Sequence, residues 1–180
     1  HASSDLEYAK AAAKAKTNSK IGAIGLSTVT TIAELEELLE YLDFFRIVTN
    51  ANDPKSAKHL IERCNKADIE VMVQLCRTSA VSPNTVAKTV KTLADYGVDI
   101  IYLVDSAGAF VPGDVTKYIK AIRKVSSQRL GFHAHNTFQL AMSNTLEALE
   151  MGCEIIDASL LGVGRDAGNV DLISLVVALS

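Results

Sequence analysis

Two histidines separated by a single residue are the side chains of this sequence best suited to chemistry. His133 and His135 lie in the apolar segment 130–135, which reads LGFHAH. Because successive side chains on a β-strand point to opposite faces, both imidazoles would project from the same side of such a strand. A neutral imidazole is the commonest metal ligand in proteins, and two on one face can hold one ion. The segment therefore predicts part of a metal site, with a pair of structural histidines as the alternative.

Oxygen ligands for such a site can be sought in two other segments. Asp105 is an available carboxylate, and its alternative role is to accept backbone N–H bonds within its own loop. The glycine-rich loop 161–169 reads LGVGRDAGN and ends in Asn169, a candidate amide ligand. This loop lacks the lysine of a phosphate-binding loop and the spacing of a dinucleotide-binding turn. Arg165 could bind an anion, or could simply pair with Asp166 at the surface.

Six short apolar runs predict the sheet that positions these residues. They are rich in Val and Ile and lack polar alternation, which is typical of parallel strands buried on both faces. The runs are 21–26, 44–49, 69–75, 100–104, 130–135 and 155–159. Amphipathic segments lie between them, and this alternation favours an α/β fold, the (β/α)₈ TIM barrel, whose full length is ~250 residues. A doubly wound sheet is the alternative, but the STVTT segment after the first run is not its expected glycine-rich turn.

The chain is expected to form one domain over residues 1–180, the central part of a TIM barrel, with the first strand and the C-terminal region missing. Helix start signals support the alternation. Thr31 and Glu34 predict a capping box, while Asp53 and Ser82 each precede a proline and predict helix N-caps.

Polar side chains end every predicted strand on the same side. In a TIM barrel the carboxyl ends of the strands carry the active site, so this edge is the candidate site. The residues are Ser27, Thr28, Thr49, Asn50, Asn52, Gln74, Arg77, Asp105, Ser106, His133, His135, Asn136, Asp157 and Ser159.

Composition excludes several other classes of protein. The net charge is −3 and 48% of residues are hydrophobic, so nothing favours nucleic-acid binding. No apolar run approaches the ~20 residues that span a bilayer, and no secretory signal is recognisable. The three cysteines lack metal-ligand spacing and are expected to be reduced, mostly buried thiols. We expect a cytoplasmic protein.

Several segments, in order along the chain, carry a family resemblance. They are DLEY (5–8), DSAGA (105–109), GFHAHN (131–136), EMGC (150–153), DASL (157–160) and AGN (167–169). Together they resemble 4-hydroxy-2-oxovalerate aldolase. That enzyme belongs to the TIM-barrel metallolyases, with 3-hydroxy-3-methylglutaryl-CoA (HMG-CoA) lyase, isopropylmalate synthase and homocitrate synthase.

The resemblance implies a carbon–carbon lyase that cleaves a 4-hydroxy-2-oxo acid to pyruvate and an aldehyde. It places His133 and His135 on the family's histidine metal ligands, with His133 also at the substrate. It places Ser106 at the keto-acid end of the substrate, and Asn169 on an asparagine ligand found in the lyase relatives. The implied metal is Mn²⁺, with Mg²⁺, Co²⁺ or Zn²⁺ as alternatives. A divalent ion bound to the 2-oxo and carboxylate oxygens would stabilise the pyruvate enolate.

This sequence also departs from the family pattern. The Asp-x-Thr-Leu-Arg-Asp-Gly motif does not occur, so the family's aspartate ligand, its arginine and the histidine base that follows are expected outside the 180 residues. His1 is not assigned the role of the base. The loop 161–169 has no cysteine, which argues against the HMG-CoA lyase branch. A synthase that condenses an acyl-CoA with a 2-oxo acid, and a non-catalytic barrel that binds a metal or an organic acid, remain alternatives.

The expected partners are a small 2-oxo acid and, through the resemblance alone, an acylating aldehyde dehydrogenase that takes up the aldehyde. We also expect a homo-oligomer, with no nucleic acid or membrane as partner.

Overall fold

Six parallel strands form a single sheet in the computed structural model, which describes residues 4–180; His1 lies outside the described residues. Each strand pairs with the next along the chain, so the sheet order is the sequence order. The strands are β1 (Gly22–Leu26), β2 (Phe44–Asn50), β3 (Glu70–Cys76), β4 (Ile100–Asp105), β5 (Arg129–Ala134) and β6 (Ile155–Ile156). All six predicted runs are strands, although the last is shorter than expected.

Helices connect the strands and cover one face of the sheet. They are α1 (Asp5–Ala15), α2 (Ile32–Leu38), α3 (Lys58–Lys66), α4 (Pro83–Asp95), α5 (Asp114–Arg123), α6 (Ala141–Glu150) and α7 (Leu172–Leu179). This succession of β/α units confirms the predicted TIM-barrel architecture, present as an arc of six strands. None of the helices within residues 4–180 has the length and apolar character needed to cross a membrane.

The helix start signals were right in two places and wrong in one. Thr31 and Glu34 form the predicted capping box of α2, and Ser82 accepts a bond from Thr85 N at the start of α4. Asp53 does not cap a helix. Its Oδ1 accepts a bond from Ser56 N at 3.3 Å in a turn, and α3 begins only at Lys58. Proline at position 54 therefore belongs to a loop that delays the helix.

Alternate residues along the strands point to opposite faces of the sheet, and the two faces have different environments. One set, which includes Ile47, Val73, Leu103 and Phe132, packs against the helices and forms the main core. Burying side chains of this size contributes ~1.5–3 kcal/mol each. The other set faces the inside of the arc, where Tyr102 is buried in a smaller apolar cluster. Polar residues share this inner face.

The inner face is only partly covered. At β1, Ile24 and Leu26 point to the same side as Arg46 but are 61% and 49% exposed. The two strands at the ends of the arc, β1 and β6, each pair with one neighbour within the described residues. The three cysteines are free thiols, with Cys64 and Cys153 buried and Cys76 half-buried, as expected.

Candidate active site

The two histidines lie side by side at the carboxyl end of β5. His133 is within the strand and pairs in register with Val104, while His135 follows the strand directly. Their ring centroids are 5.0 Å apart and the rings are nearly perpendicular, at 81°. The predicted placement of both imidazoles on one face is therefore what the structure contains.

A close approach between two strands sets the position of β5. Gly131 is paired in register with Tyr102, and a Cβ built at Gly131 would lie 2.6 Å from the Tyr102 ring. The missing side chain leaves room for the phenol on the inner face. Burial raises the pKa of Tyr102 to about 12, and the charge of Asp157 adds to the effect, so the phenol stays neutral.

Asp157 is the centre of the polar network on the inner face. It follows β6 beside His133, because Phe132 pairs in register with Ile156. Its Oδ2 accepts bonds from Arg46 Nη1 at 2.8 Å and Gln74 Nε2 at 3.1 Å. His133 Nδ1 lies 3.1 Å from the same oxygen. Burial works to raise the Asp157 pKa, but the bond from His133 and the charge of Arg46 outweigh it and hold the pKa below its ordinary value.

Arg46 supplies the positive charge of this network. Its Nη2 donates to Tyr102 Oη at 2.7 Å, and its guanidinium carbon lies 4.5 Å from the centre of the Tyr102 ring. Its Nε is buried and has no hydrogen-bond partner among the residues that the structure describes. Only about a fifth of the side chain is exposed, so the charge acts in a region where solvent screening is weak.

A cavity of about 310 Å³ opens onto these groups. Its volume suits a small organic acid. The residues around it are Arg46, His133, Ile156, Asp157, Ala158 and Asn169.

His135 and Asn169 each carry a buried polar atom that has no hydrogen-bond partner among residues 4–180. The two residues form an isolated antiparallel bridge. His135 Nδ1 and Asn169 Oδ1 are buried and have no hydrogen-bond partner within the part of the chain that the structure describes. Burial and the neighbouring His133 lower the pKa of His135, which favours the neutral ring that metals bind.

Those two orphaned atoms, with the ring of His133, make a donor set that fits a divalent cation. Two imidazoles and one amide oxygen are ligands that Mn²⁺, Co²⁺ and Zn²⁺ accept. Within the described residues no three His, Cys, Asp or Glu side chains converge in a metal-binding group. The set is therefore a partial coordination shell without a carboxylate.

Glycines in the loop after β6 allow Asn169 to reach the site. A Cβ at Gly164 would collide with the Asn169 amide, and a Cβ at Gly168 would collide with the Gly162 carbonyl. Asn169 N donates to that same carbonyl at 2.9 Å, which closes the loop. The glycines thus leave room for the Asn169 side chain and for close packing of the loop backbone.

Asp105 and Ser106, two further candidates from the sequence, both accept hydrogen bonds from backbone N–H groups. Asp105 is fully buried, and its two carboxylate oxygens accept backbone bonds from Ala109 N at 3.0 Å and Phe110 N at 2.9 Å. It holds its own loop, which is the second of the two roles considered. Ser106 Oγ accepts a bond from Arg77 N at 2.9 Å.

Ser106 stands apart from the cavity although it neighbours the histidines. Asp105 on β4 pairs in register with Ala134 on β5. Ser106 and His135 are the residues that follow these two positions, so they lie next to each other. Ser106 is absent from the cavity lining. Arg165 pairs with Asp166 at 3.4 Å, and both are exposed, which was the simpler of the two expectations for that arginine.

Arg46 is the residue of the site that the sequence analysis missed. It lies in the middle of the run FFRIVT rather than at its end, and the end of each strand was where polar groups were sought. A single charged residue inside an otherwise apolar strand was the available signal, because a buried charge requires a partner.

Comparison with known proteins identifies the family. The HMGL-like family matches residues 42–180, so this chain belongs to the HMGL-like family. An oxaloacetate decarboxylase of Mycobacterium tuberculosis is 36% identical over 178 residues, which are 99% of this chain and 53% of that protein. A 4-hydroxy-2-oxovalerate aldolase of Pelotomaculum thermopropionicum is 33% identical over 179 residues, again 99% of this chain and 53% of the relative. The chain thus spans about half the length of these curated relatives.

Solved structures agree on the architecture. The carboxyl transferase domain of Rhizobium etli pyruvate carboxylase superposes with a TM-score of 0.86 at 18% identity, over 97% of this chain and 33% of that one. HMG-CoA lyase from Brucella melitensis gives a TM-score of 0.81 at 19% identity, over 97% and 70%. At these identities they support the fold alone. The resemblance to the metallolyases is confirmed, and the two curated relatives, a decarboxylase and an aldolase, are lyase-type enzymes, the class expected from the sequence.

Proposed function

We propose that this chain carries part of the active site of a divalent-metal-dependent lyase that cleaves the C3–C4 bond of a small 2-oxo acid and yields pyruvate. The observation that carries the proposal is the convergence of His133, Asn169 and Arg46 on one cavity, with His135 beside them. Membership of the HMGL-like family supports it.

Within this proposal, His133, His135 and Asn169 hold the metal, for which Mn²⁺ is the first choice and Mg²⁺, Co²⁺ and Zn²⁺ are alternatives. When bound, the ion supplies Lewis-acid stabilisation of the enolate charge that develops on the 2-oxo oxygen. Arg46 lines the cavity wall as the partner of Asp157, and its guanidinium is the proposed hydrogen-bond donor to the carboxylate of the substrate. Tyr102 and Asp157 keep the guanidinium in place.

The leading substrate class is a 4-hydroxy-2-oxo acid, which gives pyruvate and an aldehyde. This reaction requires a base that removes the proton of the 4-hydroxyl. We assign that base to no residue of this chain. Ser106, next to His135 at the carboxyl end of β4, is the proposed contact for the keto-acid end of the substrate, and His133 is proposed to touch the substrate as well. An acylating aldehyde dehydrogenase is the proposed partner for the aldehyde product, and a homo-oligomer the proposed assembly.

A second candidate is the decarboxylation of oxaloacetate, favoured by the name of the relative with 36% identity. The bond broken is again C3–C4 of a 2-oxo acid, and the electron pair again moves to the enolate of pyruvate. Decarboxylation releases CO₂ and needs no base for a hydroxyl group. The same inner face therefore suits both reactions, and the leaving group distinguishes them.

Metal content and pyruvate release, measured on the intact protein, test the proposal. The wild type should bind Mn²⁺ and release pyruvate from 4-hydroxy-2-oxovalerate. The double variant His133→Ala, His135→Ala should lose both properties. His59→Ala is the matched control, because His59 is exposed on α3 and away from the site. Oxaloacetate is assayed in parallel, with the rate in free Mn²⁺ subtracted.

Any other outcome of these assays favours a different function or contradicts the proposal. Release of pyruvate from oxaloacetate alone would select the decarboxylase. Metal binding with turnover of an acyl-CoA thioester would select a condensing synthase or an HMG-CoA lyase-like reaction. Metal binding without any turnover would select a binding barrel, and a wild type without metal would contradict the proposal.

A further inference from the structure

The Asp157 carboxylate contacts side chains from three strands through one of its oxygen atoms. Arg46 of β2, Gln74 of β3 and His133 of β5 all lie within 3.1 Å of Oδ2. The Asp157 side chain is only 15% exposed. Two of these neighbours, the guanidinium and the amide nitrogen, are donors, so they hold the carboxylate in one orientation.

This arrangement determines which nitrogen of His133 carries the proton. An ionised carboxylate can only accept hydrogen bonds. The 3.1 Å contact therefore requires a proton on His133 Nδ1. In the neutral ring the other nitrogen, Nε2, then keeps its lone pair. A metal ligand must present such a lone pair, and a carboxylate behind a ligating histidine orients the ring and raises its basicity.

We propose that Asp157 is a positioning residue that fixes the orientation and the Nδ1–H tautomer of His133, so that Nε2 is the nitrogen offered to the cavity. The inference rests on the proposed function for its consequence, because the ligand role of His133 belongs to that proposal. The tautomer itself is a property of the chain without metal.

His135 is held in a different way, which makes the Asp157 contact specific to one ring. The bonds to Asp157 Oδ2 come from Arg46, Gln74 and His133 rather than from His135, whose ring instead lies edge-on to that of His133 at 5.0 Å between centroids. Within the described residues, Nδ1 of His135 has no hydrogen-bond partner. Loss of the Asp157 carboxylate should therefore release the His133 ring directly and affect His135 only through the edge contact between the two rings.

Nitrogen NMR of the ¹⁵N-histidine-labelled intact protein, free of metal and at about pH 8, above the ordinary imidazole pKa, tests the tautomer directly. The sequence has four histidines, so the His133 signals are assigned by their loss in His133→Ala. The wild type should show a proton on His133 Nδ1. In Asp157→Ala the proton should redistribute toward Nε2. A wild-type His133 protonated at Nε2, or a tautomer unchanged in Asp157→Ala, overturns the proposal.

Mn²⁺ affinity of the same proteins gives a second measurement. Asp157→Ala should weaken binding by about 10–100-fold, the usual effect of removing such a partner. Asp157→Asn keeps the shape of the side chain and should weaken binding in the same direction by a smaller factor, which guards against loss of the fold. Tyr102→Phe is the matched control, since it removes a contact of Arg46 and leaves the pair of Asp157 and His133 intact.

The outcomes separate this inference from the proposed function. If Asp157 were only a stabilising partner of Arg46, Asp157→Ala would lower the unfolding temperature and leave the tautomer and Mn²⁺ affinity as in the wild type. That result would overturn the positioning role and leave the lyase proposal intact. A wild type that binds no Mn²⁺ would overturn the lyase proposal, and the tautomer measurement would still decide the role of Asp157.

Discussion

Arg46 and Asp157 are 111 residues apart in the sequence and form an ion pair across the inner face, with Nη1 and Oδ2 at 2.8 Å. Both side chains are mostly buried. The pair connects β2 to the residue after β6 and stands directly beside His133. It therefore couples the stability of the arc to the geometry of the candidate active site.

Removal of Arg46 should be costly because it leaves a buried carboxylate without its main partner. For Arg46→Gln we expect a loss of about 3 kcal/mol in the free energy of unfolding, measured by urea denaturation. Pyruvate release, if present, should show a raised KM for the 2-oxo acid. Arg63→Gln is the control, since its pair with Glu36 is at 2.8 Å but half of the Glu36 side chain is exposed. That variant should lose less than about 1 kcal/mol, and equal losses in the two variants would contradict the argument.

The contact between Gly131 and Tyr102 predicts a clash that a second substitution relieves. Gly131→Ala should destabilise the protein by about 1–3 kcal/mol, because the added Cβ meets the phenol ring. In a Tyr102→Leu background the same change should cost less, since the ring is gone. A double-mutant cycle by chemical denaturation measures this coupling. Additive effects of the two substitutions would show that the ring is not what excludes a side chain at position 131.

Glu147 should make the stability of α5 depend on pH. Its carboxylate accepts bonds from Gly113 N at 3.2 Å and Thr116 N at 3.0 Å, at the start of that helix. Burial works to raise the Glu147 pKa, but the bonds from Thr116 and Gly113 outweigh it and lower the pKa. A lowered pKa means that the stabilisation is present above the unfolded-state pKa of about 4.3 and is lost as the pH falls through the folded-state pKa.

Glu147→Gln therefore should reduce stability at neutral pH by about 0.5–1 kcal/mol and much less in acid. Thermal unfolding of both proteins between neutral pH and about pH 3 tests this, and the two unfolding temperatures should converge as the pH falls. Glu150→Gln is a suitable control. Glu147 and Glu150 both lie on α6, and Glu150 is exposed at the end of that helix. A gap that widens toward acid would reverse the predicted sign.

Mn²⁺ should stabilise the folded protein if the proposed site binds it. A ligand present at about 100 times its Kd adds about 2.7 kcal/mol to the free energy of unfolding. The unfolding temperature of the wild type should rise with Mn²⁺ and return on addition of a chelator. His133→Ala, His135→Ala should show no such rise, whereas His59→Ala should behave like the wild type. A rise of equal size in the double variant would locate the binding elsewhere.

The exposed inner face of β1 leads to an expectation about the chain by itself. Ile24 and Leu26 are exposed there, and β1 has a partner on one side only within the described residues. Unpaired strand edges favour association and lower stability. Residues 1–180 expressed alone should therefore unfold at low urea concentration or self-associate, which denaturation and light scattering can measure. Cooperative unfolding of a monomer with a high midpoint would contradict this.

The sequence alone determined the order and type of most elements, because runs rich in Val and Ile between amphipathic segments leave few alternatives to parallel strands joined by helices. It also determined that His133 and His135 share a face, since that follows from the period of a strand. It could not decide the start of α3, because a proline after Asp53 is compatible both with a helix and with the turn that the structure contains.

Only the tertiary structure decided which polar groups meet. Strand order and register bring Arg46, Gln74 and His133 to the Asp157 carboxylate, although the four residues come from four separate segments of the sequence. Local propensity carries no information about such long-range contacts. The same holds for Asp105, whose oxygens could have bound either a metal or backbone N–H groups. In the structure they accept bonds from the backbone N–H groups of its own loop. Periodicity determines the side of the sheet to which a residue points, and packing determines the neighbours that it finds there.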